Sequence, residues 1–293
     1  MPRLSRIFFP GVLSFCLIAA AINAFSESGV VSASADDPNA CAACHREIYE
    51  RYRKTPMANA SGPAVDGFIP GDFTHSASEV HYRVSDEGGR VWLSFERDST
   101  APDRSLKGRQ ELRYFIGSGK RGRTYLFEKQ GYWFEAPINW YGKKQLWDMA
   151  PNYLSVREMP MTLPVDPGCL HCHASNVARS LPEARNLYTA APFEHGGITC
   201  AACHGDASAH LASSGKAHLM NIDALDSARR DSICLNCHLE GQAAVIRNGK
   251  DMADFKPGEN LSDFALFFVY KTEQGSGGRA TSQWEALLSR KAS

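Results

Sequence analysis

The chain has 293 residues, 43% of them apolar and 22% charged, which is enough to bury one large core or two small ones. Lys plus Arg and Asp plus Glu each number 32, so the zero net charge gives no general attraction to nucleic acid or to an acidic membrane surface. Partners have to be read from local patterns, and nine cysteines and ten histidines are the residues that stand out.

In chain order, Arg3 and Arg6 precede an apolar run from Ile7 to Ala21, and Ala24 then offers a cleavage point. Residues 1–24 therefore read as a secretory signal peptide, and the protein as exported to the periplasm. Cleavage within Ala33-Ser34-Ala35 is an alternative, and a run from Ile7 to Phe25 left uncleaved would serve as an N-terminal membrane tether. Cys16 raises a lipoprotein reading, against which Phe15 stands where a small residue is expected. Beyond the leader, the longest apolar run, Phe264 to Tyr270, is far short of the roughly 20 residues of a spanning helix.

Eight cysteines remain, and in an oxidising compartment their first reading is a disulfide framework. Their spacing overturns it. They fall in four pairs, each followed at once by histidine: Cys41-Ala-Ala-Cys44-His45, Cys169-Leu-His-Cys172-His173, Cys200-Ala-Ala-Cys203-His204 and Cys234-Leu-Asn-Cys237-His238. Cys-x-x-Cys-His is the attachment signature of haem c: two thiols form thioethers to the porphyrin vinyl groups and the adjoining histidine ligates the iron. A zinc ribbon would separate its pairs by roughly 15–20 residues, whereas Cys203 and Cys234 enclose 30. A thioredoxin-like site would need one such pair, and a disulfide within Cys-x-x-Cys would close a small strained loop. The predicted cofactors are four covalently bound haem c groups.

These motifs divide the chain. Residues 36–65 hold the first haem helix region. Residues 66–160 read as an inserted antiparallel β region: Val80 to Val84 and Val91 to Phe95 alternate about the turn Asp86-Glu87-Gly88-Gly89, a hairpin. A second pair is expected from Glu111 to Ile116 and Thr124 to Phe127, with Tyr132-Trp133-Phe134 continuing one small sheet. The basic turn from Gly117 to Arg123 lacks the glycine spacing of a phosphate loop and reads as a solvated hairpin loop. Residues 161–245 form a three-haem region with motifs recurring every 31 to 34 residues, built of short helices and loops, with helix formers from Asp223 to Arg230 before Cys234. Little polypeptide surrounds each cofactor there, so the haems supply much of that core. Residues 246–293 are a C-terminal tail with a short helix from Ser282 to Leu288. The predicted fold class is irregular α+β: short haem-binding helices and loops with an inserted small antiparallel sheet.

His45, His173, His204 and His238 are the predicted proximal ligands. For the distal positions His195 and His210 are favoured, each tethered close to the Cys200 motif and suited to a neighbouring haem. His75 and Met57 are further candidates, and His81, His171 and His218 weaker ones. With six spare histidines and Met57, the chain can saturate four irons. That points to an electron carrier, with a reductase or oxidase keeping one open iron for a small nitrogen species or oxyanion as the alternative, and a redox sensor or scaffold as a third class.

Three stretches resemble periplasmic multihaem cytochromes of the cytochrome c-554 type: Cys41 to His45 with Ile48-Tyr49 and Thr55-Pro56-Met57; Gly196-Gly197-Ile198-Thr199-Cys200 through Cys203-His204-Gly205 to His210; and Gly117 to Trp147. The family often has histidine at the position of Met57. The third stretch is similar to an inserted region of larger relatives that continue into further haem sites and tetratricopeptide repeats. The resemblance implies electron transfer without naming donor or acceptor; the expected partners are redox proteins, either other cytochromes or a quinol-linked or periplasmic oxidoreductase, and the charge balance points to no nucleic acid.

Overall fold

The computed structural model describes residues 37–239 and 243–268. The leader with Cys16, the cleavage points and the helix expected from Ser282 to Leu288 lie outside them. Among the described residues no helix is long and apolar enough to cross a membrane.

The fold is an irregular α+β arrangement of short helices and small antiparallel sheets, the predicted class. Strand β1 (Ser61–Pro63) is followed by β2 (Gly71–His75), β3 (Val80–Asp86), β4 (Val91–Arg97) and β5 (Leu106–Leu112). Then come β6 (Tyr114–Ile116), β7 (Gly122–Lys129), β8 (Tyr132–Tyr141), β9 (Leu146–Met149) and β10 (Leu163–Pro164). The predicted β3–β4 hairpin is present, with Tyr82 opposite Phe95 and the left-handed Gly88 and Gly89 in its turn.

The single small sheet expected here is in fact two. A four-stranded sheet runs β2-β3-β4-β5, and a six-stranded one runs β1-β6-β7-β8-β10 with β9 also on β8. The stretch Glu111 to Ile116, read as one strand, breaks at Arg113, whose N–H donates to Leu126 O (2.8 Å) and whose carbonyl accepts from Ala64 N (2.9 Å). There the chain leaves one sheet and enters the other. Period-two alternation sends Val80, Tyr82, Val84, Val91 and Leu93 inward from the first sheet to meet Phe115, Tyr125, Phe127, Ala136 and Ile138 of the second.

The six-stranded sheet buries its other face too. Tyr114, Ile116, Leu126 and Trp133 pack against Val165, Leu170, Ala174, Tyr188 and Phe193, which fixes the second Cys-x-x-Cys-His motif to the sheet. The basic turn is likewise not fully solvated. Lys120 and Arg121 are exposed, but Arg123 points in: its guanidinium donates to the carbonyls of Gly67 (2.8 Å), Asp66 (3.1 Å) and Gly117 (3.3 Å) and lies 3.8 Å over the Phe115 ring. A buried guanidinium is tolerated because carbonyls and a ring face satisfy it.

Two short hairpins complete the sheets: β11 (Ala174–Val177) with β12 (Phe193–Gly196), and β13 (Ala243–Ile246) with β14 (Ala265–Phe268), which takes up the start of the Phe264 apolar run. The helices are α1 (Pro38–Ala42), α2 (Arg46–Tyr52), α3 (Pro167–His173), α4 (Ala201–His204), α5 (Ser208–Ala212) and α6 (Ser227–His238).

Candidate haem-attachment site

Each motif sits on or beside a short helix. Asp37 and Asp166 cap α1 and α3 ahead of a proline, and Asp226 caps α6 by accepting from Arg229 N (3.0 Å). Cys41 opens the first motif in α1, and His45 stands between α1 and α2. The second motif fills the end of α3, with Leu170 fully buried against the sheet; the third spans α4; the fourth ends α6.

Two buried serines tie the second motif to the segment that leads into the third. Ser61 Oγ donates to His173 O (2.7 Å) and accepts from Gly197 N (3.0 Å). Ser175 Oγ donates to Gly197 O (3.0 Å) and accepts from Thr199 N (2.9 Å). Tyr52, which follows the first motif, donates its hydroxyl to Ile198 O at 2.8 Å. Gly197 makes this close approach possible: it is left-handed (φ 70°), and a Cβ there would lie 2.1 Å from Ala58 O.

The motifs also meet through their thiols. The Cys41 thiol is hydrogen-bonded to Cys200, and burial together with that neighbour pushes its pKa up to about 11. Cys237 is hydrogen-bonded to Cys172, and that bond, with burial, raises its pKa. Burial and nearby Cys234 raise Cys203. Thiol hydrogen bonds thus pair the first motif with the third and the second with the fourth. Thiols held protonated are weak nucleophiles, unlike the thiolates of a disulfide oxidoreductase.

Of the predicted ligands, the structure brings His45 and His210 together: their ring centroids are 6.3 Å apart and their planes differ by 18°. Two imidazole nitrogens each about 2 Å from one metal ion, on opposite sides of it, would put the centroids about 6 Å apart. His210 Nδ1 donates to Ala217 O (2.7 Å), which fixes the tautomer that leaves Nε2 with its lone pair. His173 is half-buried with Nδ1 unpartnered, and burial lowers its pKa, favouring the neutral form that can ligate a metal. These residues fit a covalently held haem. His204 is exposed, and His238 ends α6.

The other distal candidates are placed elsewhere. His195 lies on β12 opposite Ser175. His75 is buried at the end of β2, hydrogen-bonded through Nδ1 to Ser78 Oγ (2.8 Å) and through Nε2 to Leu154 O (3.1 Å). Met57 is exposed, and its carbonyl accepts from Ile198 N at 3.0 Å. His81 bonds Asp72 Oδ1 (2.8 Å) on the sheet, and His218 is exposed. Sequence reasoning missed Ser61, Ser175 and the role of Gly197. The Gly196-Gly197 pair before Cys200 was the available signal.

Residues 144–205 match the family model described as cytochrome c554 and c-prime. That stretch takes in the second and third motifs. Among solved structures, the outer cell wall cytochrome OcwA is similar at 17% identity and a TM-score of 0.49, over 78% of this chain and 44% of that one. The undecaheme cytochrome from the S-layer of Carboxydothermus ferrireducens is similar at 16% identity and a TM-score of 0.32, over 61% of this chain and 35% of that one. The chain therefore spans less than half the length of either. No curated protein matches the chain.

Burial, with Asp166 beside it, raises the pKa of Glu135 on β8, so the fold favours its protonated form. The stability this contributes is present below the unfolded pKa of about 4.3 and is lost as pH rises through the folded value. Glu135→Gln is expected to raise the melting temperature at pH 7, with the difference closing toward pH 4. An equal melting temperature at both pH values would remove the buried-charge cost.

Proposed function

We propose that the chain is an exported c-type cytochrome with four haems that carries electrons between redox partner proteins. Cys41, Cys44, Cys169, Cys172, Cys200, Cys203, Cys234 and Cys237 provide attachment, and His45, His173, His204 and His238 are the proximal ligands. The observation that carries this reading is the approach of the His45 and His210 rings to 6.3 Å between centroids, with Nδ1 of His210 already committed. Haem iron supplies one-electron redox chemistry at a potential set by ligand identity, burial and hydrogen bonding.

The remaining work belongs to the polypeptide. His45 and His210, the latter held by Ala217, would together hold the iron of the first haem and would leave no place there for a substrate; His210 takes precedence over Met57 in that role. The Ser61 and Ser175 bonds hold the second and third motifs in fixed relation, and Tyr52 ties the first to them through Ile198. Adjacent motifs, with one site whose two histidines leave no place for a substrate, suit electron transfer more than catalysis. His195 remains a proposed distal ligand for a neighbouring site. The partners that fit are other cytochromes or a quinol-linked or periplasmic oxidoreductase. The apolar run after Arg6 supports export and, if retained, an N-terminal tether.

Denaturing mass spectrometry of the exported protein is expected to show four haem additions, and fewer than three would overturn the reading. His210→Ala should convert one of the four low-spin haems to a high-spin form that binds carbon monoxide. Spectra indistinguishable from those of the unaltered protein would remove His210 from the coordination sphere. A high-spin, ligand-accessible haem already present before substitution would move the reductase or oxidase reading ahead.

A further inference from the structure

We infer that His171 and Asn236 are a pair of positioning residues that fix the second attachment site against the fourth. This rests on the reading above that both motifs carry haem. The second and fourth motifs share the form Cys-Leu-x-Cys-His, and the variable residue is His171 in one and Asn236 in the other. His171 Nε2 and Asn236 Oδ1 are 3.0 Å apart, half-buried, across 65 residues of chain. A carboxamide oxygen only accepts, so Nε2 carries the proton and donates.

The bond continues into the attachment sulfurs. Asn236 Nδ2 lies 3.9 Å from Cys237 Sγ, and before attachment the Cys237 and Cys172 thiols are within hydrogen-bond reach of each other. Equivalent positions in the two motifs thus meet in pairs, histidine with asparagine and cysteine with cysteine.

The two helices differ in how they are otherwise held. Helix α3 is anchored by Leu170, fully buried against the six-stranded sheet. Helix α6 buries only Ser232 and Ile233, and Ser232 is used to accept from Leu261 N at 2.9 Å. A helix with so little apolar anchorage takes its orientation from directed bonds, since dispersion and burial constrain angle poorly when few side chains interdigitate. The His171–Asn236 bond supplies direction at the end of α6 that bears the motif. It also engages His171 Nε2, leaving that nitrogen unavailable as a distal ligand.

The test uses the full-length, haem-loaded protein and four variants: His171→Leu, Asn236→Leu, the double leucine variant, and the exchange His171→Asn with Asn236→His. The readouts are the Soret circular dichroism couplet, which depends on the relative orientation of neighbouring haems, and amide exchange in α6. Each single variant is expected to lose the same part of the couplet and to speed exchange in α6. The double leucine variant should lose no more than either single one, and the exchange variant should restore both readouts. Single variants with an unchanged couplet, or losses that add in the double variant, would overturn the pairing. If a single variant fails to load haem, the exchange variant decides: recovery of loading and couplet supports the pair, and failure overturns it. Fewer than three haems in the unaltered protein would overturn the proposed function, with the pair then judged on α6 exchange alone.

Discussion

Produced without haem attachment, by changing all eight motif cysteines to serine, the chain is expected to keep slow amide exchange from Val80 to Met149 and to lose it from Ile198 to Leu239. The first segment closes two sheets on each other around Tyr82, Leu93, Tyr125 and Ile138, all fully buried. The second buries Ala207 and Ile233 as its only apolar residues among those described. Ordering each residue costs about 1–2 kcal/mol of backbone entropy, while burying one large apolar side chain contributes about 1.5–3 kcal/mol. Two such side chains cannot hold that segment, so its order depends on the covalently attached group filling the space between motifs. Exchange mass spectrometry of loaded and unloaded protein checks this. Equal protection of Ile198 to Leu239 in both would mean that the polypeptide forms its own core there.

Gly197→Ala is expected to cost roughly 2–5 kcal/mol, combining about 1–2 kcal/mol for a left-handed alanine with about 1–3 kcal/mol for forced overlap. The overlap is specific: the new methyl would lie 2.1 Å from Ala58 O and 2.6 Å from Ala58 C, both backbone atoms that cannot swing aside. Moving them breaks the Ser61 and Ser175 bonds to Gly197, and with them the link between the second and third motifs. Gly88→Ala is the control, since Gly88 is also left-handed (φ 63°) but has nothing within 4 Å of its added Cβ. Denaturant melts of the loaded proteins should show Gly197→Ala as much the more damaging. Equal losses would mean that backbone preference alone matters and that the close approach is dispensable.

The hairpin about Gly88-Gly89 was legible because alternation and a glycine turn are both local properties. The break at Arg113 was not, because Glu111 to Ile116 reads as one extended run and only the partners of its two halves differ. The burial of Arg123 was hidden for a related reason: its neighbours Lys120 and Arg121 are exposed, and nothing within the turn shows that Asp66, Gly67 and Gly117 turn their carbonyls toward it.

For the site, the eight cysteines and four adjoining histidines proposed for attachment and proximal ligation were read from spacing alone, because both roles act within five consecutive residues. Distal ligation joins residues far apart in sequence, so the sequence could favour His210 and His195 over His75 and Met57 from their tethers but could not name the motif that each faces. Folding brings His210 to 6.3 Å from His45, engages both nitrogens of His75 within the β region, and leaves Met57 exposed. The pairing of His171 with Asn236 was likewise invisible until α3 and α6 packed together. Composition and short-range pattern therefore determined the chemistry at each motif, whereas the relation between motifs was decided by tertiary structure, because it depends on contacts across 65 to 165 residues that no local period encodes.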